Sequence, residues 1–289
     1  MKRLVMHYSP LFPDELYVRL LFYLTMGKRL SLKSPQTFSE KLQWLKLHQR
    51  APLFTCLVDK LSVKEHVTHI LGEKYVCPVL GVWDKPEDID FDLLPSQFVL
   101  KTTHHGGNMG IVICNDKKSF DRKKALHKLK TSLNTDVYYR YREWPYKDVP
   151  HRIMAEKYLG DNLVDYKFYC FNGYADCLLV CTDRQKGHVS YYFVDKAWNI
   201  LPYNENSKNN PSGFTQPRPD CIDEMFELAS KMSVGFPFVR IDFFYVNGRI
   251  YFGEYTFYPS SGLDVKKTPE FEQHAGELID LSLVTSDSP

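Results

Sequence analysis

Apolar residues in the first 74 positions recur at helical spacing. Those of the first predicted helix share one face and are Leu16, Leu20, Leu21 and Leu24. Asp14 is placed to cap this helix and Gly27 to end it. A second helix begins at the capping box Thr37-Phe-Ser-Glu40, and a third ends at Gly72. The pattern predicts a helical N-terminal region over residues 1–74.

From residue 75 the pattern changes to short apolar runs bounded by turn residues, which predict strands. The predicted strands occupy 75–83, 97–103, 152–159, 165–171, 174–182 and 189–195, followed by two strands within 238–257. Helices are predicted over 121–133, 220–232 and 270–281. Strands that arrive in runs, with helices before and between them, predict an α+β fold with largely antiparallel sheets.

These elements divide the chain after residues 74 and 150. The division gives two α+β regions, 75–150 and 151–281, and leaves residues 282–289 as a tail. Residues 203–219 are rich in Asn, Pro, Ser and Gly and predict a long loop. A loop of this length in a compact domain is often a functional lid, and residues 184–188 are the other candidate lid.

Composition places the chain among ordinary globular proteins. Its 289 residues are 44% hydrophobic and 25% charged, which excludes a disordered, collagen-like or coiled-coil chain. The formal net charge of +2 gives no whole-molecule attraction for nucleic acid, so no nucleic-acid partner is expected. The charge is uneven, because residues 1–60 carry ten Lys or Arg against four Asp or Glu. This basic region is either a solvated face or a surface for an anionic partner.

The cysteines predict a reducing compartment. There are seven of them, without a Cys-x-x-Cys pair, and nothing beside Cys177 and Cys181 completes a zinc site. The N-terminus lacks the apolar core of a signal peptide, and the apolar stretch 16–26 is too short to span a bilayer. We expect a cytoplasmic enzyme without a transmembrane segment, whose basic N-terminal part is a candidate for contact with a membrane.

The sharpest local motif is a glycine-rich turn after an apolar strand. The strand Phe98-Val-Leu-Lys101 ends in a lysine. The turn that follows offers candidate phosphate contacts at His104, Gly106, Gly107 and Asn108. Small residues let backbone N–H groups approach phosphate oxygens, and a lysine adds a positive charge. The turn is neither a Walker A loop nor a dinucleotide fingerprint, so phosphate binding and a simple hairpin are both open at this point.

Two acidic residues lie on the last two predicted strands. Asp242 follows Arg240 by two positions, and Glu254 lies 12 positions beyond Asp242, across the turn Val246-Asn247-Gly248. Carboxylates held side by side in a sheet are hard oxygen ligands suited to Mg²⁺. The alternative is an acid paired with Arg240 on an exposed sheet face.

Other charged residues lie between these two motifs. The pairs Glu156-Lys157 and Asp165/Lys167 fall inside or at the edge of apolar strands, where a charge is costly unless it is paired or bound. They form either part of a binding site or a solvated sheet face. A competing motif, Asp88-Ile-Asp90, has the Asp-x-Asp pattern of metal-dependent glycosyltransferases, but it lies in a proline-flanked loop that predicts an exposed turn.

Taken in order, these motifs resemble the ATP-grasp superfamily and, more narrowly, the TupA-like ATP-grasp family, named for teichuronopeptide biosynthesis. The matching stretches lie across nearly all of residues 12–281 and include 41–45, 57–60, 80–83, 98–101, 142–146, 155–157, 165–168, 239–242 and 251–254. The resemblance implies two α+β subdomains that grip ATP and follow the helical N-terminal region. Residues 75–150 would carry the phosphate loop, and residues 151–281 the adenine hinge and the Mg²⁺ site.

The resemblance also implies which residues contact ATP. Lys101 and Lys157 would contact the nucleotide. Backbone groups of the hinge would contact adenine, and the hinge residues would be Lys157, Tyr158 and Leu159. Glu156 or Asp165 would approach adenine or ribose.

The resemblance assigns catalysis and metal binding to residues of the last two predicted strands and to Lys167. Arg240 and Lys167 are the candidate catalytic residues, which would neutralise charge on the reacting groups. Asp242 and Glu254 would hold one or two Mg²⁺ ions. Thr256 stands where many ATP-grasp enzymes have asparagine, and its hydroxyl is a third candidate ligand.

Shared metal ligation sets a condition on the hairpin that carries the two acids. Because side chains alternate faces along a strand, a two-residue Asn247-Gly248 turn would place Asp242 and Glu254 on opposite faces. A three-residue loop that pairs Tyr245 with Arg249 would place them on one face. Although Asn-Gly favours the two-residue turn, we predict the three-residue loop, with its glycine left-handed in a bulge.

The motifs and the resemblance together predict a carboxylate–amine ligase. ATP would phosphorylate a carboxylate to an acyl phosphate, and an amine would then displace phosphate and form an amide. The family name implies an amino acid joined to a uronic acid or polymer unit in bacterial surface-polysaccharide biosynthesis. The basic N-terminal region would then face a glycan or a lipid-linked precursor.

Three other functions compete with this one. The first is a glycosyltransferase of the same pathway that uses Asp88 and Asp90, and the second is an ATP-dependent sugar kinase. The third is a non-catalytic module with a degenerate nucleotide site, against which the presence of Lys101, Asp242 and Glu254 argues. The sequence does not define the oligomeric state.

Overall fold

The structure, a computed structural model, describes residues 2–107, 109–161, 163–182 and 189–284. Within these ranges the helices are α1 (Lys2–His7), α2 (Asp14–Met26), α3 (Phe38–His48), α4 (Pro52–Val58), α5 (Ser62–Leu71), α6 (Arg122–Leu133), α7 (Tyr138–Tyr141), α8 (Glu205–Asn209), α9 (Ile222–Met232) and α10 (Pro269–Leu278). The strands are β1 (Val79–Trp83), β2 (Phe98–Thr102), β3 (Ile111–Cys114), β4 (Ile153–Lys157), β5 (Asp165–Phe171), β6 (Tyr174–Thr182), β7 (Ser190–Val194), β8 (Ile200–Leu201), β9 (Val239–Val246) and β10 (Arg249–Thr256). The predicted α+β class is confirmed.

The strands form two antiparallel sheets. The smaller has the order β1-β4-β2-β3, and the larger has the order β10-β9-β5-β6-β7-β8. Because β4 pairs with both β1 and β2, the smaller sheet extends to Lys157, past the division expected at residue 150. The chain therefore leaves the smaller sheet at Lys157 and enters the larger sheet at Asp165.

Local side-chain contacts explain where several helices begin and end. Thr37 accepts a hydrogen bond from the Glu40 amide, and the Glu40 carboxylate accepts one from the Thr37 amide, which confirms the capping box of α3. Asp121 caps α6, and Gly27 ends α2 in a left-handed conformation with φ 70°. Asp14 is the first residue of α2 and makes no capping bond, so its predicted role as cap was wrong.

The helical N-terminal region shares one hydrophobic core with the larger sheet. Phe38 of α3 packs edge-on against Phe238 and against Phe271 of α10, at ring-centroid distances of 4.9 and 5.0 Å. Burying each such ring contributes roughly 1.5–3 kcal/mol. A second core lies where α6 covers the smaller sheet, around Phe98 and Leu129. Each sheet is therefore covered by helices that share a hydrophobic core with it.

The outward face of α2 differs from the prediction. The residues that α2 buries are Tyr17, Val18, Leu21 and Phe22. Leu16 was predicted to share a face with Leu21, but Leu21 is buried and Leu16 is 53% exposed. No helix in the described ranges is long and apolar enough to cross a membrane.

The two candidate lids have different outcomes. Residues 203–219 are not a continuous loop, because they contain α8 and a 3₁₀ turn at Pro211–Gly213. The segment is tied down at its start, where the Thr268 amide donates to the Tyr203 carbonyl. The other candidate lid, 184–188, lies outside the described residues, as do residues 285–289 of the predicted tail.

Candidate active site

A cavity of about 290 Å³ lies between the two sheets. Strands β2 and β4 supply one side, and β5, β9 and β10 supply the other. The cavity brings together most of the predicted site residues, namely Lys101, Gly107, Glu156, Lys157, Tyr158, Leu159, Asp165, Lys167, Asp242 and Glu254. These predicted residues are separated by up to 153 positions, from 101 to 254, and they meet in one cleft.

Three lysines and one glutamate form what we call the lysine wall of the cavity: Lys60, Lys64, Lys101 and Glu156. The Lys101 ammonium lies 2.5 Å from one Glu156 oxygen, and Lys64 pairs with the other oxygen. Burial alone would raise the pKa of Glu156, but Lys101 and Lys64 lower it to about 2. Two ammonium groups thus pair with one carboxylate and a third lysine, Lys60, lines the same wall, so the wall keeps a positive charge that suits a phosphate chain.

The predicted adenine hinge follows β4. Its first residue is already engaged, because the Lys157 amide donates to the Pro78 carbonyl at 3.0 Å. This amide is therefore not free to meet adenine, whereas the Lys157 side chain lines the cavity. Tyr158 and Leu159 also line it, and they are the hinge residues left for adenine.

The opposite side of the cavity carries a compact charged cluster, the carboxylate face, made of Lys167, Arg240, Asp242, Glu254 and Thr256. Arg240 donates to both Asp242 oxygens at 2.6 and 2.7 Å and to Glu254 Oε1 at 2.8 Å. It also donates to the Thr256 hydroxyl at 2.9 Å. Lys167 lies 2.5 Å from Asp242 Oδ2. The acid does pair with Arg240, as the alternative held, but in the cleft, where Asp242 is only 2% exposed.

Charge balance keeps this face ionised. Burial alone would raise the pKa of Asp242, but the neighbouring Arg240 and Lys167 lower it. Burial likewise opposes the charge on Lys167, and Asp242 raises its pKa above the ordinary value. The site therefore presents fixed charges of both signs to a ligand.

The turn of the hairpin differs from the predicted one. Val246 pairs directly with Arg249, so Asn247-Gly248 is a two-residue turn. Both turn residues have positive φ, 51° and 76°, as a type I′ turn requires. The prediction of a three-residue loop was wrong, although its glycine is left-handed as expected.

A β-bulge at Gly253 places the two acids on one face. The pairing register shifts between Phe252 and Glu254, so Glu254 lies directly opposite Asp242. Without the shift Gly253 would occupy that position, and Glu254 would point to the other face. The bulge thus performs the function that the sequence argument had assigned to the turn.

We predict that Gly253→Ala destabilises the protein by about 1–3 kcal/mol, the usual cost of overpacking. A Cβ atom at this position would lie 3.1 Å from the Asp242 carbonyl oxygen and 3.1 Å from the Phe244 ring. Urea unfolding followed by circular dichroism measures the change. Gly106→Ala is the matched control, because its Cβ would meet only the Tyr146 hydroxyl at 3.6 Å. Equal stability of the two variants would contradict a tightly packed bulge.

The carboxylate face fits a Mg²⁺ ion that arrives with a nucleotide. Asp242 and Glu254 offer hard oxygen donors, and the Glu254 side chain is 31% exposed and lines the cavity. In the ranges that the structure describes, no group of three or more His, Cys, Asp or Glu is placed to hold a metal. Mg²⁺ commonly takes one or two carboxylates and completes its shell with phosphate oxygens and water. Two carboxylates with the Thr256 hydroxyl beside them match that donor set.

The glycine-rich turn reaches the cavity only in part. Gly107 lines it, Gly106 lies beside Tyr146, and Asn108 is outside the described residues. His104 is 1% exposed and stacks on His151 with ring centroids 3.6 Å apart. Its predicted contact with phosphate was wrong, because the strand end turns this side chain into the protein interior.

The buried histidines predict a loss of stability in acid. Burial lowers the pKa of His104 to about 3, and it also lowers the pKa of His105. As the pH falls below about 6.5, His104 becomes protonated in the unfolded chain but stays neutral in the folded protein, so unfolding becomes more favourable. Because of His104, the free energy of unfolding should be about 1.4 kcal/mol lower at pH 5.5 than at pH 8.

Urea unfolding between pH 8 and pH 5 measures this effect. In His104→Phe, the number of protons taken up on unfolding should fall by about one, because phenylalanine keeps a ring but cannot titrate. The free energy of unfolding should then depend less steeply on pH. His127→Gln is the control, since His127 is exposed on α6. An unchanged pH dependence in His104→Phe would contradict the assignment.

Two lysines of the cavity were not predicted from the sequence, and one acidic motif lies outside it. Lys60 precedes α5 and Lys64 lies in its first turn; both line the cavity, where Lys64 pairs with Glu156 of β4. Asp88 ends a 3₁₀ turn, and Asp90 accepts a hydrogen bond from the Asp92 amide. Neither aspartate lines the cavity, so the Asp-x-Asp motif forms a local turn.

The profile of the TupA-like ATP-grasp family matches residues 40–280. The chain belongs to this family. The match includes both sheets, the lysine wall and the carboxylate face, and it confirms the resemblance inferred from the motifs. The ATP-grasp fold accounts for two sheets that face each other across a nucleotide-sized cleft, and residues 1–39 of this TupA-like protein precede the matched region.

Several solved structures are similar to the chain at low identity. N5-carboxyaminoimidazole synthetase from Staphylococcus aureus with ADP has a TM-score of 0.44 and 17% identity, over 85% of this chain and 51% of that one. D-alanine-D-alanine ligase from Helicobacter pylori has a TM-score of 0.46 and 11% identity, over 84% and 69%. The ATP-grasp ligase PsnB with minimal precursor, Mg and ADP has 0.41 and 11%, over 86% and 66%. The chain spans about half the length of the synthetase, and no curated protein matches it.

Proposed function

We propose that this TupA-like ATP-grasp protein is an ATP- and Mg²⁺-dependent carboxylate–amine ligase. The observation that carries the proposal is the cavity with the lysine wall on one side and the carboxylate face on the other. A positive wall suits a triphosphate, and carboxylates opposite it suit the Mg²⁺ that accompanies ATP. Two fixed cations within the carboxylate face, Lys167 and Arg240, suit a reaction that develops negative charge there.

The proposed arrangement of ATP follows the order of residues along the cleft. Adenine lies at Tyr158 and Leu159, and ribose or adenine lies near Asp165. The phosphates lie between Lys101 and Gly107. Mg²⁺, when bound at the carboxylate face, neutralises part of the phosphate charge. This arrangement directs the terminal phosphate toward Arg240 and Lys167.

The protein contributes position and charge in both proposed steps. A substrate carboxylate oxygen attacks the terminal phosphorus of ATP and releases ADP. An amine nitrogen then attacks the acyl carbon, phosphate leaves, and the nitrogen gives up a proton. Arg240 is held by Asp242, Glu254 and Thr256 in one orientation, so it can meet the transferred phosphoryl group without reorganisation.

The proposal extends to substrates and location. We infer an amino acid as one partner and a uronic acid or polymer unit as the other, in bacterial surface-polysaccharide biosynthesis, because the family is named for such a pathway. A glycan or lipid-linked precursor is the larger form of the same acceptor. ATP supply and seven free thiols favour the cytoplasm.

Mass spectrometry of ATP turnover with candidate uronates and amino acids tests the proposal. A ligase gives ADP, phosphate and an amide whose mass is the sum of the two substrates less one water. Hydroxylamine in place of the amine should trap the acyl phosphate as a hydroxamate. ADP with a phosphorylated sugar would identify a kinase instead, and dependence on a nucleotide sugar would identify a glycosyltransferase.

A further inference from the structure

Helix α2 presents an apolar stripe to solvent as well as to the core. Residues spaced by four and three along its outward face are Leu16, Leu20 and Tyr23, and the exposed fractions of Leu16 and Tyr23 are 53% and 54%. A surface helix normally turns polar residues outward. The outward face of α2 therefore leaves apolar side chains exposed that the fold of this chain does not bury.

The preceding segment continues this apolar surface. Leu4 of α1 is 62% exposed, Tyr8 is 48% exposed and Leu11 is 77% exposed. Helix α1 packs against α2, so the exposed side chains of both helices belong to one region of the molecule. We call this region the N-terminal surface: it consists of the exposed Leu4, Tyr8, Leu11, Leu16 and Tyr23 and the half-buried Leu20.

Basic residues border the N-terminal surface. Lys2 lies before it, and Lys28, Arg29 and Lys33 lie just after α2, all exposed. Among the described side chains, none of these four forms a salt bridge; the salt bridges of the region are made by other arginines.

Both acids of the region are already neutralised by other arginines. Asp14 is paired with Arg142 and Arg50, and Glu15 is paired with Arg19. The border of the N-terminal surface is therefore positive.

We propose that the N-terminal surface docks on an anionic lipid bilayer, with α2 lying in the plane of the interface. Exposed leucine and tyrosine with a basic border is the pattern of interfacial helices, in which apolar side chains enter the headgroup region and basic ones meet anionic lipid. The 13 residues of α2 span about 20 Å, which is shorter than the roughly 30 Å of a bilayer core. A second copy of this chain suits the surface less well, because it would bring like charges together.

Sedimentation with vesicles tests the proposal on the full chain. We expect binding to vesicles of 70% phosphatidylcholine and 30% phosphatidylglycerol, and at least tenfold weaker binding to pure phosphatidylcholine. Raising NaCl from 0.1 to 0.5 M should weaken the binding, because exposed charges are screened. Equal binding to both vesicle types, or no binding to either, would overturn the proposal.

Two double variants separate the charged and apolar contributions. Lys28→Gln/Arg29→Gln should lower the partition coefficient by about 25-fold, at about fivefold for each basic residue near the surface. Leu16→Gln/Tyr23→Gln should lower it by at least tenfold, because both side chains are exposed and available for insertion. Unchanged melting temperatures establish that both variants are folded.

Matched controls change exposed residues that are not part of the N-terminal surface. Lys123→Gln/Lys124→Gln changes two exposed lysines of α6, and Leu93→Gln changes a leucine that is 84% exposed. Both controls should bind vesicles like the wild type, and equal losses in them would overturn the proposal.

Two further outcomes point to other partners and would also overturn the proposal. One is dimerisation that Leu16→Gln/Tyr23→Gln abolishes in the absence of vesicle binding. The other is capture by a soluble polyanion that the same variant leaves intact. Neither experiment depends on ligase activity, so the result stands apart from the proposed function.

Discussion

Glu254→Gln is expected to lower turnover on the order of 100- to 1000-fold while the protein stays folded, as for the loss of a group that stabilises transition-state charge. Glutamine keeps the shape of the side chain and its contact with Arg240, but it removes the negative charge that Mg²⁺ would meet. The side chain is 31% exposed, so its neutralisation should cost little stability. Steady-state ADP release across a Mg²⁺ titration measures the effect.

The matched control for Glu254→Gln is Asp264→Asn. Asp264 is exposed to a similar degree, 30%, and lies near Lys267 outside the cavity lining. It should keep wild-type turnover. Near wild-type turnover of Glu254→Gln at saturating Mg²⁺ would remove Glu254 from the metal site.

Asp242→Asn should abolish turnover as well, but it is a poorer test. Asp242 is 2% exposed and balances Arg240 and Lys167, so its neutralisation leaves buried cations without a partner. Breaking a buried ion pair in this way typically costs about 3–5 kcal/mol. Loss of activity in this variant would therefore mix metal binding with stability.

The hairpin shows how local and tertiary signals combine in this fold. Asn247-Gly248 carries the strong local preference for a two-residue turn, and the chain follows it. The requirement that Asp242 and Glu254 share a face was also correct, and the bulge at Gly253 satisfies it. A lone glycine inside a strand is a known sign of a bulge, so the sequence did contain the signal.

Helix ends were predictable where side chain and backbone interact within a few residues. Thr37 and Glu40 form their capping box as expected, and Gly27 ends α2. The burial of α2 was harder to predict, because both of its faces are apolar and periodicity does not tell which one the core covers. Leu16 and Leu21 were predicted to share one face for this reason, but Leu21 is buried and Leu16 is exposed.

Residues whose role depends on distant packing were the ones missed or misplaced. Lys64 pairs with Glu156, 92 positions away, and no local pattern marks such a pair. His104 follows a strand end near the cavity, but the chain turns its ring toward His151. The candidate site could therefore be predicted where strands deliver side chains directly, as for Lys101 and Asp242, and not where helices and turns complete it.

Lys101→Met should weaken ATP binding about 10- to 150-fold, the loss of a charged hydrogen bond worth roughly 1.5–3 kcal/mol. Methionine keeps the length and the apolar stem of the side chain while it removes the charge. Glu156 retains Lys64 as its partner, so the lysine wall keeps a paired carboxylate. Isothermal titration calorimetry with ATP and Mg²⁺ measures the dissociation constant.

Lys64→Met separates a direct contact of Lys101 with phosphate from an effect transmitted through Glu156. Lys64 binds the other oxygen of the same carboxylate, and its side chain is 12% exposed against 26% for Lys101. If Lys101 meets phosphate, Lys101→Met should lose clearly more ATP affinity than Lys64→Met, and higher salt should narrow the difference. Equal losses in the two variants would mean that Lys101 makes no contact with phosphate that Lys64 lacks, and the distinct role of Lys101 would be rejected. Unchanged affinity in a folded Lys101→Met protein would remove Lys101 from the nucleotide site altogether.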